Sequence, residues 1–480
     1  MGKRIAAGLL AAGALGAATW GLWRHYRVAV DIWWAGRGAP EGLAARQRER
    51  LRALIAFARA RSPYYRALYR DLPAEIEDLR ALPVVTKPDL MARFDEWVTD
   101  PRVTRAGVEA FAANASLVGR RYLGRYVVWT TSGTTGKPGV FVQNPLAIAV
   151  YGALIIFRGY DWMPPALIWR TLWRGRMGTL VATGGHFAVA EWMERLRRQV
   201  APLPAVQRRV RVFSVLLPLE ELTRQLNDFQ PTLLIGYPSV LRLLADEQRA
   251  RRLHIAPDYI GLGGEEVEPG ARERIAEAFP CVLRDNYGAS EFLVLAYGCA
   301  HGWLHVNSDW VILEPVDAAY QPTPPGQTSQ TVLLTNLANH VQPLIRYDLG
   351  DSVTLRADRC PCGSPLPAVR VSGRQGDTLR LLSPSGATVA LPPLAIGAVV
   401  EETEGVRRAQ IIQTSDDTLT VRLEVAAGAE PAAVWERLER RLRDYLATQG
   451  LPAVTIERSP EPPRQSPTSG KFRQVWRELR

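Results

Sequence analysis

From residue 126 onward, short apolar runs alternate with amphipathic helical stretches. The runs are VVW, LIWR, TLLIGY and YIGLGG; the last two are followed by PSVLRLLADEQRAR and EPGARERIAEAF. Parallel strands need a long crossover between them, usually a helix. A strand covered on both faces reads as an unbroken apolar run. The alternation therefore predicts layered α/β structure with mostly parallel strands. After about residue 307 the pattern changes to strands and turns, in DWVILEPV, TVLLTNL and PLIRYDLGD. A break falls in VSGRQGDTLRL, 371–381. Beyond it VRRAQIIQ, TLTVRLEVA, the helix AAVWERLERRLRDYLATQ and AVTIERS predict a small α+β unit. The tail PEPPRQSPTSGKFRQVWREL reads as a proline-rich loop and a short helix. No repeat period is present, and 480 residues suit two or three domains.

The stretch TTSGTTGKP, 130–138, follows RYVVW. Gly133 and Gly136 let backbone approach a ligand closely. Thr130, Thr131, Ser132, Thr134 and Thr135 offer hydroxyls, and Lys137 adds a compact charge. These groups suit the oxygens of a polyphosphate. The Walker pattern is not met, because Thr131 stands where its first glycine belongs and Pro138 follows the lysine. Pro138 also turns its predecessor away from helix. A solvent turn is the plain alternative for such a composition.

The net charge of +11 is concentrated at one end. Residues 1–70 hold 13 Lys and Arg against three Asp and Glu, an excess of ten. The basic region follows IAAGLLAAGALGAATWGLW, Ile5–Trp23, which has no charged residue. As a helix it would be about 28 Å long, near the thickness of a bilayer core. Basic residues predominate on its C-terminal side, and Trp20, Trp23, Trp33 and Trp34 suit an interface. These features predict a single N-terminal anchor within residues 1–27 and a body on the cytoplasmic face of the inner membrane. They also favour an anionic membrane surface over nucleic acid as the partner of the basic patch. A cleaved signal peptide and a surface helix are the rivals. Leu43, Leu51, Leu54, Ile55 and Ala58 recur at helical spacing, and SPYYRALY restarts a second helix at Pro63. Four cysteines in 480 residues exclude a disulfide scaffold.

Six stretches follow one another in order: TTSGTTGKP (130–138), GLGGEE (261–266), DNYGASE (285–291), RYDLGD (346–351), GRQGD (373–377) and SGKFR (469–473). Together they resemble the adenylate-forming superfamily of acyl-CoA synthetases, adenylation domains and luciferases. The likeness is greatest to its phenylacetate–coenzyme A ligase branch, which includes relatives from capsule-biosynthesis clusters, and it covers essentially everything after residue 40. It implies a large adenylate-forming domain, 28–373, and a small mobile α+β domain, 374–480. It also implies ATP-dependent activation of an aryl or acyl carboxylic acid and transfer to a thiol, that of coenzyme A or of a carrier protein.

By the same resemblance Thr131, Ser132, Gly133, Thr134, Thr135, Gly136 and Lys137 hold phosphates, and Glu291 binds Mg²⁺. Tyr287 stacks on adenine, and Gly264, Glu265 and Gly288 join the nucleotide set. Asp351 binds the ribose hydroxyls, and Arg374 contacts ribose or phosphate. Lys471 bridges the carboxylate and the α-phosphate. Gly376 stands where the family usually has an acidic residue before Asp377, which leaves a permissive hinge. Adenylyl transfer without coenzyme A, and a silent nucleotide-binding membrane scaffold, are the alternative functions.

Cys299, His301, Cys360 and Cys362 form two short clusters that suit a structural tetrahedral Zn²⁺ site, with His305 as a substitute for His301. The resembling branch includes zinc-carrying members with such clusters. Cys281 reads as core. His186 and Tyr237 are candidates for the acyl pocket.

Overall fold

The computed structural model describes residues 19–480, except for 132–138, 160–169, 171–174, 375–378, 392–395, 401–402, 465–472, 479–480 and the single positions Ala74, Glu77, Gly184, Leu216, Glu266, Glu268, Pro269 and Ala398. Most of Ile5–Trp23, nearly all of the LIWR run, the loop Ser132–Pro138, the Gly376–Asp377 hinge and Lys471 thus lie outside the described residues.

A nine-stranded sheet runs in the order β13-β14-β9-β8-β7-β6-β5-β3-β4. Its parallel half is β3 (Met177–Val181), β4 (Val210–Ser214), β5 (Leu233–Gly236), β6 (Tyr259–Gly263) and β7 (Val282–Tyr287). The antiparallel half is β8 (Ala296–Gly298), β9 (Leu304–Val306), β13 (Asp351–Leu355) and β14 (Ala368–Arg374). The two predicted crossover helices are present as Pro238–Arg249 and Ala271–Ala278, and Leu219–Phe229 and Ala188–Gln199 add two more. Leu219–Phe229 shows why. Glu220 and Glu221 occupy its first turn, where the helix dipole favours them. Leu222, Leu226 and Phe229 line its buried face, and Gln230 ends it at φ 51°. A hairpin of β1 (Val127–Thr130) and β2 (Val140–Gln143), and a sheet of β10 (Val311–Val316), β11 (Thr331–Asn336) and β12 (Tyr347–Asp348), complete the large body.

Helix α1 (Thr19–Ala35) runs across the expected boundary at residue 27. Val28, Ala29, Ile32 and Ala35 are buried, and α1 packs on α2 (Pro145–Phe157), a helix apolar all round and capped by Asn144. Asp31 of α1 binds Arg46 and Arg50 of the next helix, Pro40–Arg61. The fully buried Asp309 takes both Arg158 nitrogens, at 2.6 and 2.8 Å. Trp34 is exposed. No helix of the described residues is long and apolar enough to cross a membrane.

A separate core runs from Leu379 to Val475. It is built on α3 (Pro431–Thr448), whose Val434, Leu438, Leu442 and Leu446 form an i,i+4 stripe, and whose first turn is capped by the Glu430 carboxylate. A hairpin of β15 (Leu379–Leu382) and β16 (Thr388–Leu391) adds to this core, and the stripe meets a sheet of order β19-β18-β17-β20, with β17 (Val406–Gln413), β18 (Thr418–Val425), β19 (Thr455–Arg458) and β20 (Val475–Arg477). Strand β20 corrects the sequence reading of a terminal helix. Val475–Arg477 pair in parallel with Ile411–Gln413, and Val475 is buried. An open sheet edge recruits an extended segment more readily than three residues nucleate a helix.

Candidate active site

The carboxyl ends of the parallel strands open at one edge of the sheet, where ligand crevices form in open α/β structures. β5 runs into Tyr237, β6 into Gly264, and β7 ends at Tyr287 with Gly288 beyond it. Each glycine is obligatory for a different reason. Gly264 has φ +82°, and a Cβ there would lie 2.8 Å from the Tyr237 ring. At Gly288 a Cβ would sit 2.1 Å from the Leu293 carbonyl oxygen. Tyr237 is buried beneath Gly264, with its hydroxyl pushed up to about 12 by burial. The Ser239 N–H donates to Glu265 Oε2 at 3.3 Å, which places a carboxylate at the first turn of Pro238–Arg249.

The antiparallel half brings in two further carboxylates. The Tyr287 hydroxyl donates to Asp351 Oδ2 at 2.7 Å, and the Tyr347 hydroxyl to Glu291 Oε1 at 2.9 Å. Both acids are buried. Asn336 donates to the Glu291 carbonyl at 2.8 Å, and Gln143 of β2 to the Ser290 carbonyl at 3.1 Å. The strand leaving the phosphate-type loop is thereby fixed beside Glu291. Arg374 ends β14 opposite Asp351 in the ladder.

The described ends of that loop are closed at the neck. Thr131 N–H donates to Gly139 O at 2.9 Å, and Gly139 N–H to Thr131 Oγ1 at 2.8 Å. Thr130 N–H donates to His186 O at 2.8 Å. His186 is buried against Phe111, with Nε2 3.2 Å from the Asn114 carbonyl oxygen; burial lowers its pKa and keeps it neutral. The described residues that flank 465–472 are held in a similar way, since Gln410 donates to the carbonyls of Arg464 and Arg473 at 2.8 and 2.9 Å. Arg242 of Pro238–Arg249 donates to the Arg407 carbonyl of β17 at 3.2 Å and so joins the two bodies.

The cysteine cluster forms with one change. The ligand atoms of Cys299, His305, Cys360 and Cys362 lie within 4.8 Å of one another. His305 Nε2 is 3.1 Å from Cys362 Sγ, and Nδ1 is 3.1 Å from the Leu366 carbonyl. That contact assigns the Nδ1 proton and leaves Nε2 as the lone-pair donor toward the thiols. His301, the first choice from sequence, is excluded from the cluster. It is exposed in the turn between β8 and β9, whereas His305 stands within β9, paired with Tyr297 on one side and Ala368 on the other. Cys281 is partly buried against the second core, and burial pushes its thiol up to about 11.

Two participants, and one buried carboxylate outside the site, escaped the sequence reading. Tyr347 is inside the RYDLGD motif, but its hydroxyl's partner is 56 residues away. Lys87 reaches the loop neck, with Nζ 3.2 Å from Thr131 Oγ1; its local sequence signals only a helix start. Glu191 is buried on the helix Ala188–Gln199; burial raises it to about 7, partly offset by Arg195 and by long contacts to the Trp129 side chain and the Gly119 backbone.

No family model matches the chain. It is 25% identical over 476 residues to a phenylacetate-coenzyme A ligase of Thermus thermophilus, spanning 91% of this chain and 96% of that protein. It is 25% identical over 230 residues to the protein CapK of Staphylococcus aureus, spanning 47% and 49% of the two chains. Among solved structures, 2-hydroxyisobutyryl-CoA ligase in its postadenylation state with 2-HIB-AMP superposes with a TM-score of 0.66 at 22% identity, over 92% of this chain and 91% of that one. The same enzyme with 2-HIB-AMP and CoA in the thioesterification state gives 0.55 at 22% identity, over the same shares of the two chains. The large body and the small C-terminal unit have the fold of these ligases.

Proposed function

We propose that this chain, a member of the adenylate-forming superfamily in its phenylacetate–coenzyme A ligase-like branch, activates a carboxylic acid with ATP as an acyl-adenylate and passes the acyl group to the thiol of coenzyme A. The observation that carries the reading is the meeting of Tyr287, Glu291, Tyr347 and Asp351, drawn from two separate motifs, beside the β1–β2 hairpin whose loop has the composition of a phosphate cradle.

The chemistry divides among this chain's own residues. Asp351, held by Tyr287, offers a fixed carboxylate to the ribose hydroxyls, a pairing found in other nucleotide sites. Gly264 and Tyr287 leave a flat wall for the base. The loop 132–138 supplies hydroxyls and Lys137 to the phosphates, and Lys471 brings a charge to the carboxylate and α-phosphate as pyrophosphate leaves. Arg374 completes the set at the ribose or phosphates. The Glu291 carboxylate is a hard oxygen ligand of the kind Mg²⁺ takes, and the ion would neutralise charge on the polyphosphate. His186 and Tyr237 are assigned to the floor of the acyl side.

Cys299, His305, Cys360 and Cys362 fit a structural Zn²⁺ site: three thiols, an imidazole with its tautomer fixed, and four ligand atoms within 4.8 Å. Four protein ligands leave no open position for chemistry. Residues 374–480 are assigned to the body that turns between the two half-reactions. The basic N-terminal region is assigned to an anionic membrane surface at the cytoplasmic face, with the Ile5–Trp23 stretch as the anchor.

The test is pyrophosphate release over a panel of aryl and short acyl acids, followed by thioester detection with coenzyme A. Acid-dependent release supports the reading, and its absence over the panel with intact, ATP-binding protein removes it.

A further inference from the structure

We infer that the outward face of α1, made of Tyr26, Arg27, Val30, Trp34 and the adjoining Arg37, lies flat on an anionic bilayer, so that the helix axis runs along the membrane surface and holds the large body in one orientation. The inference rests on the membrane reading of the N-terminal region and adds to it the contact face and the orientation.

The face is defined by the helix itself. At about 3.6 residues per turn, positions 26, 27, 30 and 34 share one side and 28, 29, 32 and 35 the other. Val28, Ala29, Ile32 and Ala35 are buried. Tyr26, Arg27 and Trp34 are exposed, and Val30 is half-buried. Trp34 at 59% and Tyr26 at 48% leave large aromatic surfaces open. A surface helix ordinarily turns charged and polar side chains outward. This one turns out two aromatics, a valine and an arginine. Ile156, also exposed, stands at the same end of the helix pair. A Cβ on Gly36, just past α1, would lie 3.8 Å from Nε of Arg158, just past α2.

The aromatic end is organised for a boundary between apolar and aqueous phases. Trp33 and Trp34 pack edge to face, with ring centroids 4.9 Å apart. The turn after α1 brings Arg37 back over them. Its N–H donates to Trp34 O at 3.1 Å and its Nη1 to Trp33 O at 3.3 Å, and its guanidinium carbon lies 4.7 Å from the Trp33 ring centroid. A guanidinium on one indole, beside a second and open indole, is the combination that membrane interfaces take. The rings sit at headgroup level and the cation meets phosphate.

Charge selects the partner. Asp31 is the only acid of α1, and it is engaged by Arg46 and Arg50 of the next helix. The outward face keeps its arginines and no acid. From Tyr26 to Arg61 the chain has eight arginines against three acids. A second copy docked through the same face would set arginines against arginines, whereas anionic lipid meets them with the opposite sign.

Length sets the orientation. α1 begins at Thr19, inside the uncharged run that ends at Trp23. Along a helix axis Trp34 lies roughly 16 Å beyond Trp23. The headgroup layer is only about 5–8 Å deep on each side of the hydrocarbon. A helix standing along the bilayer normal carries Trp34 and Arg37 clear of the lipid. One lying along the surface touches it with the whole face.

The test is photo-crosslinking in the full chain. p-Benzoylphenylalanine is placed at position 34 and, as a control, at position 382, where Leu382 is exposed on the small unit. Each protein is reconstituted with vesicles of phosphatidylcholine containing about one quarter phosphatidylglycerol, floated and irradiated. Adducts are read by mass spectrometry, and melting is recorded for each protein. Position 34 is expected to form lipid adducts and position 382 none. Arg27→Gln together with Arg37→Gln is expected to lower the yield at 34 by about fivefold or more in these vesicles; an unchanged yield would overturn the choice of an anionic surface. Floating protein without lipid adducts at 34 overturns the flat orientation and leaves the membrane reading in place. An adduct from 34 to a second copy overturns it in favour of a dimer face, and equal lipid adducts at 34 and 382 overturn it by showing unoriented contact. Protein that does not float removes the membrane reading and this inference together.

Discussion

The Tyr287 hydroxyl donates to the Asp351 carboxylate at 2.7 Å across 64 residues of chain, and both groups are buried at the end of the parallel sheet. A hydrogen bond to a charged acceptor contributes about 1.5–3 kcal/mol. Tyr287→Phe keeps the ring and removes only the donor. It is expected to weaken ATP and AMP alike by about tenfold, because the ribose is common to both. Asp351→Asn is expected to cost at least as much. An unchanged AMP affinity in Tyr287→Phe would mean that the bond holds the fold and not the nucleotide site.

Lys471→Ala separates the half-reactions. Acyl-adenylate formation is expected to slow by orders of magnitude, on the order of 10² or more for a lost charge at a reacting phosphate. Thioester formation from supplied acyl-adenylate is expected to be nearly untouched. Rapid-quench assays of each half-reaction read the difference. Equal loss in both, with a native melting curve, would exclude a small domain that offers Lys471 to only one of them.

Metal analysis decides between the two histidines. Wild type is expected to carry about one Zn²⁺ per chain. His305→Ala is expected to lose it and to melt lower, since metal binding is coupled to folding. His301→Ala is expected to retain it. Metal-free wild type with native stability would dismiss the zinc assignment.

Glu191 supplies a pH signature. Burial raises it to about 7 from an ordinary glutamate value of 4.5. The folded chain therefore holds a proton that the unfolded chain releases between those values, and stability falls as pH rises through that window. Glu191→Gln removes the titration. It is expected to melt above wild type at pH 8.5, by on the order of 2 kcal/mol, with the two curves converging toward pH 5. Parallel curves at every pH would show that Glu191 is ionised in the folded state throughout.

Membrane attachment is read by fractionation. Full-length protein is expected in the membrane pellet through a high-salt wash and in the supernatant after detergent, because salt screens only the electrostatic part of the attachment. A chain starting at Thr19 keeps the helix face that packs on α2 and is expected to be extractable by salt and active. Release of the full-length chain by salt alone would reduce residues 5–23 to a surface helix.

Much of this was legible in the residues. The strands and helices between 233 and 287 follow from alternation of apolar runs with capped amphipathic stretches, a local signal. Tyr287, Asp351 and Glu291 were singled out through motif order; the structure adds the Tyr287–Asp351 and Tyr347–Glu291 hydrogen bonds. What escaped was set by pairing over distance. His301 is as near to Cys299 in sequence as a ligand needs to be, but the β8–β9 register turns His305 inward instead. QVWREL has no strong local preference, and the open edge of β17 decided it. Lys87 lies 44 residues before Thr131, and nothing local to it announces a ligand. Glu191 sits on the helix Ala188–Gln199, which also carries Glu194, Arg195, Arg197 and Arg198, and only the packing of that helix shows its burial.

Asp351 and Arg374 face each other across one ladder rung, and Arg374 is the first residue assigned to the small unit. A strand cannot swing at one end without loading its neighbour. If the small body turns as proposed, the carboxylate assigned to the ribose and the residue at the root of that body are two ends of one lever. Whatever free energy nucleotide occupancy contributes to one orientation of the small body, that orientation returns to nucleotide affinity in equal measure. A cross-link that locks the small body in one orientation would then act as a nucleotide effector, without touching the nucleotide.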